Sequence, residues 1–105
     1  MATVHLSKRA QKDLKSLGNV EKSKALQAIQ KLKGDIFAGH TLSGSLQGVR
    51  SLEFSAPGGA YRAAYVIFRD ECFVFLVGGH ENFYEEAERR YRSLRGLEIT
   101  LEEME

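Results

Sequence analysis

The run Cys72-Phe73-Val74-Phe75-Leu76-Val77 constrains the fold most. It is apolar at every position, so it reads as a strand buried on both faces and flanked by other strands. Two strands precede it. Tyr61–Arg69 leads into it through a turn at Asp70-Glu71, and Val49–Ser55 leads into Tyr61 through Pro57-Gly58-Gly59. Proline presets the φ of a first central turn position, and glycine supplies positive φ. The three segments therefore predict an antiparallel meander. In the first of them, Arg50, Leu52 and Phe54 point one way, and Val49, Ser51, Glu53 and Ser55 the other.

The meander needs cover on one face at least, and the N-terminal half supplies it. Thr3–Leu6 reads as a short strand in which His5 alternates with apolar neighbours as a structural or edge residue. Ser7 then fits an N-cap, because its hydroxyl can accept from an early backbone N–H. Lys8–Leu17 predicts a helix with Ala10, Leu14 and Leu17 on one face. Gly18 reads as its left-handed stop and Asn19 as the cap of a second helix. That helix runs from Val20 to Leu32, with a pattern able to reach Ala38, and carries the stripe Ala25, Leu26, Ile29, Leu32 and Ile36. Gly39–Gly48 reads as loop. Asn82–Arg95 predicts a closing helix with Phe83, Ala87, Tyr91 and Leu94 on one face. The expected class is α+β, in the order β-α-α-β-β-β-α: a twisted, mainly antiparallel sheet in two layers, with the N-terminal helical hairpin on one face and a C-terminal helix.

Length and composition narrow the function. The 105 residues suit one domain, 1–95, followed by an acidic tail, 96–105. No apolar run approaches the ~20 residues that span a bilayer, and no signal-peptide pattern opens the chain. One cysteine cannot form an internal disulfide, which suits a reducing cytoplasm. One cysteine and scattered histidines give no zinc spacing, and no cofactor is expected. The net charge of +1 conceals a basic body. The tail holds four glutamates and no base, so residues 1–95 carry fifteen bases against ten acids, a balance of +5. Such a body suits a polyanion or an acidic protein, or is simply a solvated surface.

Chemistry could gather on the sheet face away from the helical hairpin. Arg62 stands in the middle strand, Glu53 on the strand before it, His40 in the loop feeding that strand, and His80 after the last strand. Together they would make an acid–base site around a cation, and Tyr84 could stack on a nucleobase or donate its hydroxyl. RNA cleavage without a metal needs that set. A base takes the 2′-hydroxyl proton, a cation steadies the phosphoryl oxygens, and an acid protonates the leaving 5′-oxygen. Plainer readings exist for each. Arg62 could be an ion-pair partner of Glu53, His80 a helix cap, Tyr84 a core residue and His40 a solvated loop residue.

These residues resemble the RelE/ParE superfamily of bacterial toxins, over about Val4 to Leu94. Tyr61-Arg62-Ala63-Ala64-Tyr65 looks like the family's YR-x-x-Y strand. Val77-Gly78-Gly79-His80-Glu81, followed by Tyr84-Glu85-Glu86-Ala87, resembles the segment that carries catalytic side chains into the last helix. The spacing from His40 through Leu42, Gly44 and Gly48 to Arg50 is similar to that of the YafQ branch, with His80 and Tyr84 matching its late histidine and aromatic. Another active-site histidine of the branch falls on Glu53. An acidic residue expected in the turn before the third strand is replaced by Pro57-Gly58-Gly59, and the second-strand lysines of RelE itself have only Arg50 here.

The resemblance implies a cytoplasmic type II toxin that cuts mRNA in the ribosomal A site, leaving a 2′,3′-cyclic phosphate and a 5′-hydroxyl. The implied catalytic residues are His40, Glu53, Arg62, His80 and Tyr84, with His80 as acid and His40 or Glu53 as base. Arg50, Lys31, Lys33 and Arg89 would contact RNA, ribosomal RNA included, and an acidic antitoxin would cover the basic body. Two alternatives remain open: a ParE-like DNA gyrase inhibitor, and a catalytically inactive member of the fold that only binds a partner.

Overall fold

A computed structural model describes residues 2–79 and 81–96. The elements are β1 (Val4–Leu6), α1 (Lys8–Lys15), α2 (Asn19–Gln30), β2 (His40–Thr41), β3 (Val49–Ala56), β4 (Gly59–Phe68), β5 (Glu71–Gly79) and α3 (Phe83–Gly96). Single 3-10 turns at Lys31–Lys33 and Gly44–Leu46 link α2 to β2 and β2 to β3. One sheet holds all the strands in the order β1-β5-β4-β3-β2. Only β1 runs parallel to its neighbour, β5. The α+β class and element order match the sequence expectation, with β2 as an addition. The expected acidic tail lies, from residue 97 onward, outside the described residues.

Local chemistry explains the element ends. Ser7 caps α1 as expected, its hydroxyl accepting from the Ala10 N–H at 3.1 Å. The close of α1 differs from expectation. Ser16 ends the helix, its N–H reaching back to the Lys12 and Asp13 carbonyls. Gly18 is not left-handed; at φ −64° and ψ 164° it is the extended N-cap of α2, and Asn19 is already helical. The buried stripe of α2 is Ala25, Ala28, Ile29 and, one turn on, Leu32. Leu26 faces outward instead of joining it. The helix gives way at Lys31, well short of Ala38.

The meander is longer than its apolar pattern. The β3–β4 turn is Pro57-Gly58 alone, since Ala56 already pairs with Gly59. The β4–β5 turn is Arg69-Asp70, one residue earlier than expected, with φ of 53° and 63°. Two consecutive positive φ values in a two-residue turn match the twist of the flanking strands.

Both faces of the sheet are covered. Leu52, Ala63, Tyr65, Cys72, Val74 and Val77 pack beneath α1 and α2. Val49, Ala64, Val66, Phe73, Phe75 and Leu76 pack against Phe83 and Ala87 of α3, with Tyr91 and Leu94 alongside. The expected two layers are therefore joined by a third on the opposite face. A bulge in β5 makes this possible. Ala64 pairs with Leu76 and Tyr65 with Val74, so Phe75 is the extra residue. The bulge turns Phe75 and Leu76 to the same side and reverses the alternation after them. Phe75 is 1% exposed, and such burial contributes roughly 1.5–3 kcal/mol.

Arg90 fastens α3 to this bulge. Its guanidinium donates to the Phe75 carbonyl at 2.8 Å, to both Asp13 carboxylate oxygens at 2.8 and 3.2 Å, and to Glu86 at 2.8 Å. Asp13 also accepts from the Val77 N–H at 3.0 Å. Burial opposes the Arg90 charge, but the bonds to Asp13 and Glu86 outweigh it and raise its pKa. Elsewhere the sheet is pinned by His5, whose Nε2 lies 2.5 Å from Glu71 and whose ring stacks on Phe73, so it is structural as expected.

Two substitutions probe this framework. Asp13→Ala takes one of two carboxylate partners from a mostly buried guanidinium and leaves the Val77 N–H without its acceptor, so it should destabilise by roughly 3 kcal/mol in a denaturant titration. Ser51 is fully buried, and its hydroxyl has no hydrogen-bond partner among the described residues. Ser51→Ala should be neutral or stabilising by up to about 1 kcal/mol, read as an unchanged or raised Tm.

Candidate functional site

His40 reaches the sheet through a segment held from beneath. The Tyr65 hydroxyl donates to the Ile36 carbonyl at 2.8 Å and accepts from the Gly39 N–H at 2.9 Å. Burial pushes the Tyr65 phenol above its ordinary value, so the proton it donates stays in place. Arg50 donates to the Gly39 carbonyl at 3.0 Å and the Phe37 carbonyl at 3.2 Å, and lies over the Phe37 ring. Gly39 leaves no room for a side chain: a Cβ there would stand 2.8 Å from both the Ser51 carbonyl and the Tyr65 ring. The chain thus emerges at His40 paired opposite Ser51 on β3.

Beyond that pairing, four side chains meet on the α3 face. Glu53 and Arg62 are direct cross-strand partners, with Arg62 Nε 3.2 Å from Glu53 Oε2. His40 Nε2 approaches the same carboxylate oxygen at 4.0 Å. The Arg62 guanidinium also lies over the Tyr84 ring, 5.4 Å from its centre. Arg62 is 13% exposed, while Glu53 and His40 are 50% and 56% exposed. A largely covered cation is therefore ringed by open groups. An ion pair with so exposed a carboxylate adds little stability. It does fix where the guanidinium points.

A cleft adjoins this cluster. Its volume is about 540 Å³, and Leu42, Ser43, Ser45 and Leu46 form one wall, with Tyr84, Glu85, Glu88 and Arg89 of α3 opposite. Ser45 donates to Glu88 at 2.5 Å, and the Tyr91 hydroxyl to the Gln47 carbonyl at 2.8 Å, mooring the turn to the helix. Gly48 permits this with φ 99°, since a Cβ there would strike the Tyr91 hydroxyl. The cleft wall on α3 thus carries charges of both signs.

The structure brings His40, Glu53, Arg62 and Tyr84 together. Tyr84 is no core residue at 40% exposure; its neighbour Phe83 takes that place. Arg50 lies apart, on the opposite face of β3, occupied with the backbone before His40. Lys31 and Lys33 close α2 on the helical layer, away from the cluster. Arg89 sits at the cleft and pairs with Glu86, whose carboxyl Arg89 and then Arg90 hold below the usual range. His80 lies outside the described residues; the strand before it, β5, ends at Gly79, and its Gly78 pairs opposite Arg62. Sequence reasoning passed over Tyr65, Gly39 and the cleft residues Ser45, Glu85 and Glu88. Two signals were available: the glycine directly before His40 and the second tyrosine of Tyr61–Tyr65. Among the described residues no three of His, Cys, Asp or Glu gather so as to hold a metal ion, and no helix is long and apolar enough to cross a membrane.

Comparison with known proteins fits this architecture. The profile of the ParE-like toxins of type II bacterial toxin–antitoxin systems matches residues 4–88. The chain belongs to that family. The toxin also shares its fold with solved RelE structures, within the wider RelE/ParE superfamily. A doubly substituted RelE toxin from E. coli, in the free state, is 21% identical with TM-score 0.67, over 88% of this chain and 98% of that one. A chain of the RelBE2 toxin–antitoxin complex of Mycobacterium tuberculosis is 22% identical with TM-score 0.66, over 75% of this chain and 98% of its own. The intact E. coli RelBE complex gives 20% identity and TM-score 0.58, over 77% and 99%. No curated protein matches the toxin by sequence.

The grip beneath His40 is open to test. Tyr65→Phe keeps the ring but leaves the Ile36 carbonyl and the Gly39 N–H without their partner. It should cost about 1–3 kcal/mol in thermal or denaturant unfolding, and hydrogen exchange at Gly39 should accelerate.

Proposed function

We propose that this toxin is an endoribonuclease that cuts mRNA in the ribosomal A site by internal attack of a ribose 2′-hydroxyl. The observation that carries the reading is the convergence of His40, Glu53 and Tyr84 on a mostly covered Arg62. The 2′-oxygen bonds to the adjacent phosphorus as the 5′-oxygen leaves, giving a 2′,3′-cyclic phosphate and a 5′-hydroxyl. Arg62, aimed by Glu53, steadies the charge that gathers on the phosphoryl oxygens. Glu53 Oε2 is already engaged with Arg62, which favours His40 as the base and Glu53 as the group that orients both. His80, following the strand that pairs with Arg62, protonates the leaving oxygen. Tyr84 stacks on a base beside the cut. Such an acid–base set can run this chemistry without a metal.

Binding divides in the same way. In this reading Lys31 and Lys33, away from the cluster, and Arg89 at the cleft contact phosphates of messenger or ribosomal RNA, which positions the substrate without reading its sequence. Arg50 serves by holding the segment that presents His40. The basic body suits an acidic antitoxin that covers the site in the cytoplasm; the RelBE and RelBE2 complexes are toxin–antitoxin assemblies of similar fold. Inhibition of DNA gyrase and an inactive, partner-binding role are the competing readings for a ParE-like family member. The acid–base cluster supports cleavage over both.

Wild type, Arg62→Ala and His80→Ala, each incubated with mRNA on ribosomes, test the proposal. Wild type should release fragments with 5′-hydroxyl ends. Each variant should cut about 10²–10³-fold more slowly. Equal cutting by His80→Ala removes His80 from the mechanism. Intact mRNA with DNA-damage signalling in expressing cells supports gyrase instead.

A further inference from the structure

The cleft beside Tyr84 is unaccounted for by the cleavage chemistry. It is continuous with the Arg62 cluster, because Tyr84 carries the Arg62 guanidinium on its ring and also lines the cleft. Its size, about 540 Å³, falls within the range of ligand pockets, and Leu42, Leu46 and the Tyr84 ring give it apolar surface. A nucleobase stacked at Tyr84 would present its edge to the polar groups of α3.

Those groups are not equivalent. Glu88 is claimed by Ser45 at 2.5 Å and by Arg92 at 2.9 Å. Arg89 is claimed by Glu86. Glu85, one residue after Tyr84, is exposed and makes no hydrogen bond or ion pair among the described residues. The cleft therefore offers one carboxylate with its acceptor capacity unused. An ionised carboxylate accepts and never donates. Adenine, cytosine and guanine each bring an exocyclic amino group that can donate to it. Uracil instead brings two carbonyl oxygens flanking one N–H, and these face the carboxylate with like partial charge.

We propose that the cleft is a base-reading subsite in which Glu85 selects amino-bearing bases and rejects uracil next to the cut. The inference rests on the nuclease reading above and adds a specificity that the acid–base cluster does not supply. Unstacked bases of single-stranded RNA are read at such edges. A mismatched contact of this kind costs roughly 1–3 kcal/mol, so uracil should be about tenfold depleted at one position flanking the cut.

The experiment is a census of cut sites. A messenger library with randomised codons is incubated with ribosomes and the full-length toxin, and 5′-hydroxyl ends are sequenced. Wild type should show the depletion of uracil at one flanking position. In Glu85→Gln a carboxamide that can donate to a uracil carbonyl replaces the carboxylate, and uracil should return to near parity; Glu85→Ala should fall between. Cutting by wild type with no uracil bias, or a bias that persists in Glu85→Gln, overturns the subsite and leaves the nuclease reading intact. Absence of 5′-hydroxyl ends from wild type, with the protein folded by circular dichroism, overturns both.

Discussion

Arg90 is the joint on which the two sides of this molecule depend. The helical hairpin and α3 lie on opposite faces of the sheet and share little apolar surface. A single guanidinium crosses between them, bonded at once to Asp13 of α1, to the Phe75 carbonyl at the β5 bulge and to Glu86 of its own helix. The bulge supplies the exposed carbonyl, because an extra strand residue leaves ladder groups unpaired. It also turns Phe75 and Leu76 together toward α3. Polar and apolar anchoring of the helix thus share one irregularity. Without it β5 would alternate regularly, and α3 would lose both its socket and its tie.

The helix in turn governs the candidate site, since Tyr84 stands in its first turn over Arg62. The opposite wall comes from elsewhere. The segment before His40 hangs on Tyr65, which points into the other core. Arg62 and Tyr65 are three residues apart on one strand and so project to opposite faces. One strand therefore carries the central cation on its upper face and the support for the neighbouring histidine on its lower face. That is a physical reason for an arginine and a tyrosine to stand three residues apart on this strand.

Much of this was legible in the sequence, for identifiable reasons. The helices and long strands announce themselves through burial at periods of 3.6 and 2, as with Ala10 and Leu14 or Ala63 and Tyr65. The cluster was legible because Glu53 and Arg62 face the same side once the hairpin register is set. What stayed hidden depends on contacts distant in sequence or on a single irregular residue. The bulge at Phe75 looks like any other apolar position. The Arg69-Asp70 turn carries no glycine to mark its positive φ. β2 is two residues long, held by its pairing with β3 and by the Tyr65 grip rather than by propensity. Leu26 fits the apolar stripe by type, but Ala28 lies closer to the sheet, where a small side chain allows close approach.

Glu53 shows how local geometry assigns a role that residue type leaves open. A carboxylate can be a base, an orienting group or a structural counter-ion. Here one oxygen faces both Arg62 and His40, at 3.2 and 4.0 Å. A base must release its lone pair to an incoming proton, and the bond to a mostly covered guanidinium opposes that release. An orienting group has the contrary requirement, since it works best when it stays charged and stationary. The arrangement therefore favours Glu53 as a group that orients its two neighbours. On the same logic, Glu85 differs from Glu86 and Glu88 because those two are held by arginines or a serine. It alone among the three keeps its oxygens available to something outside the fold.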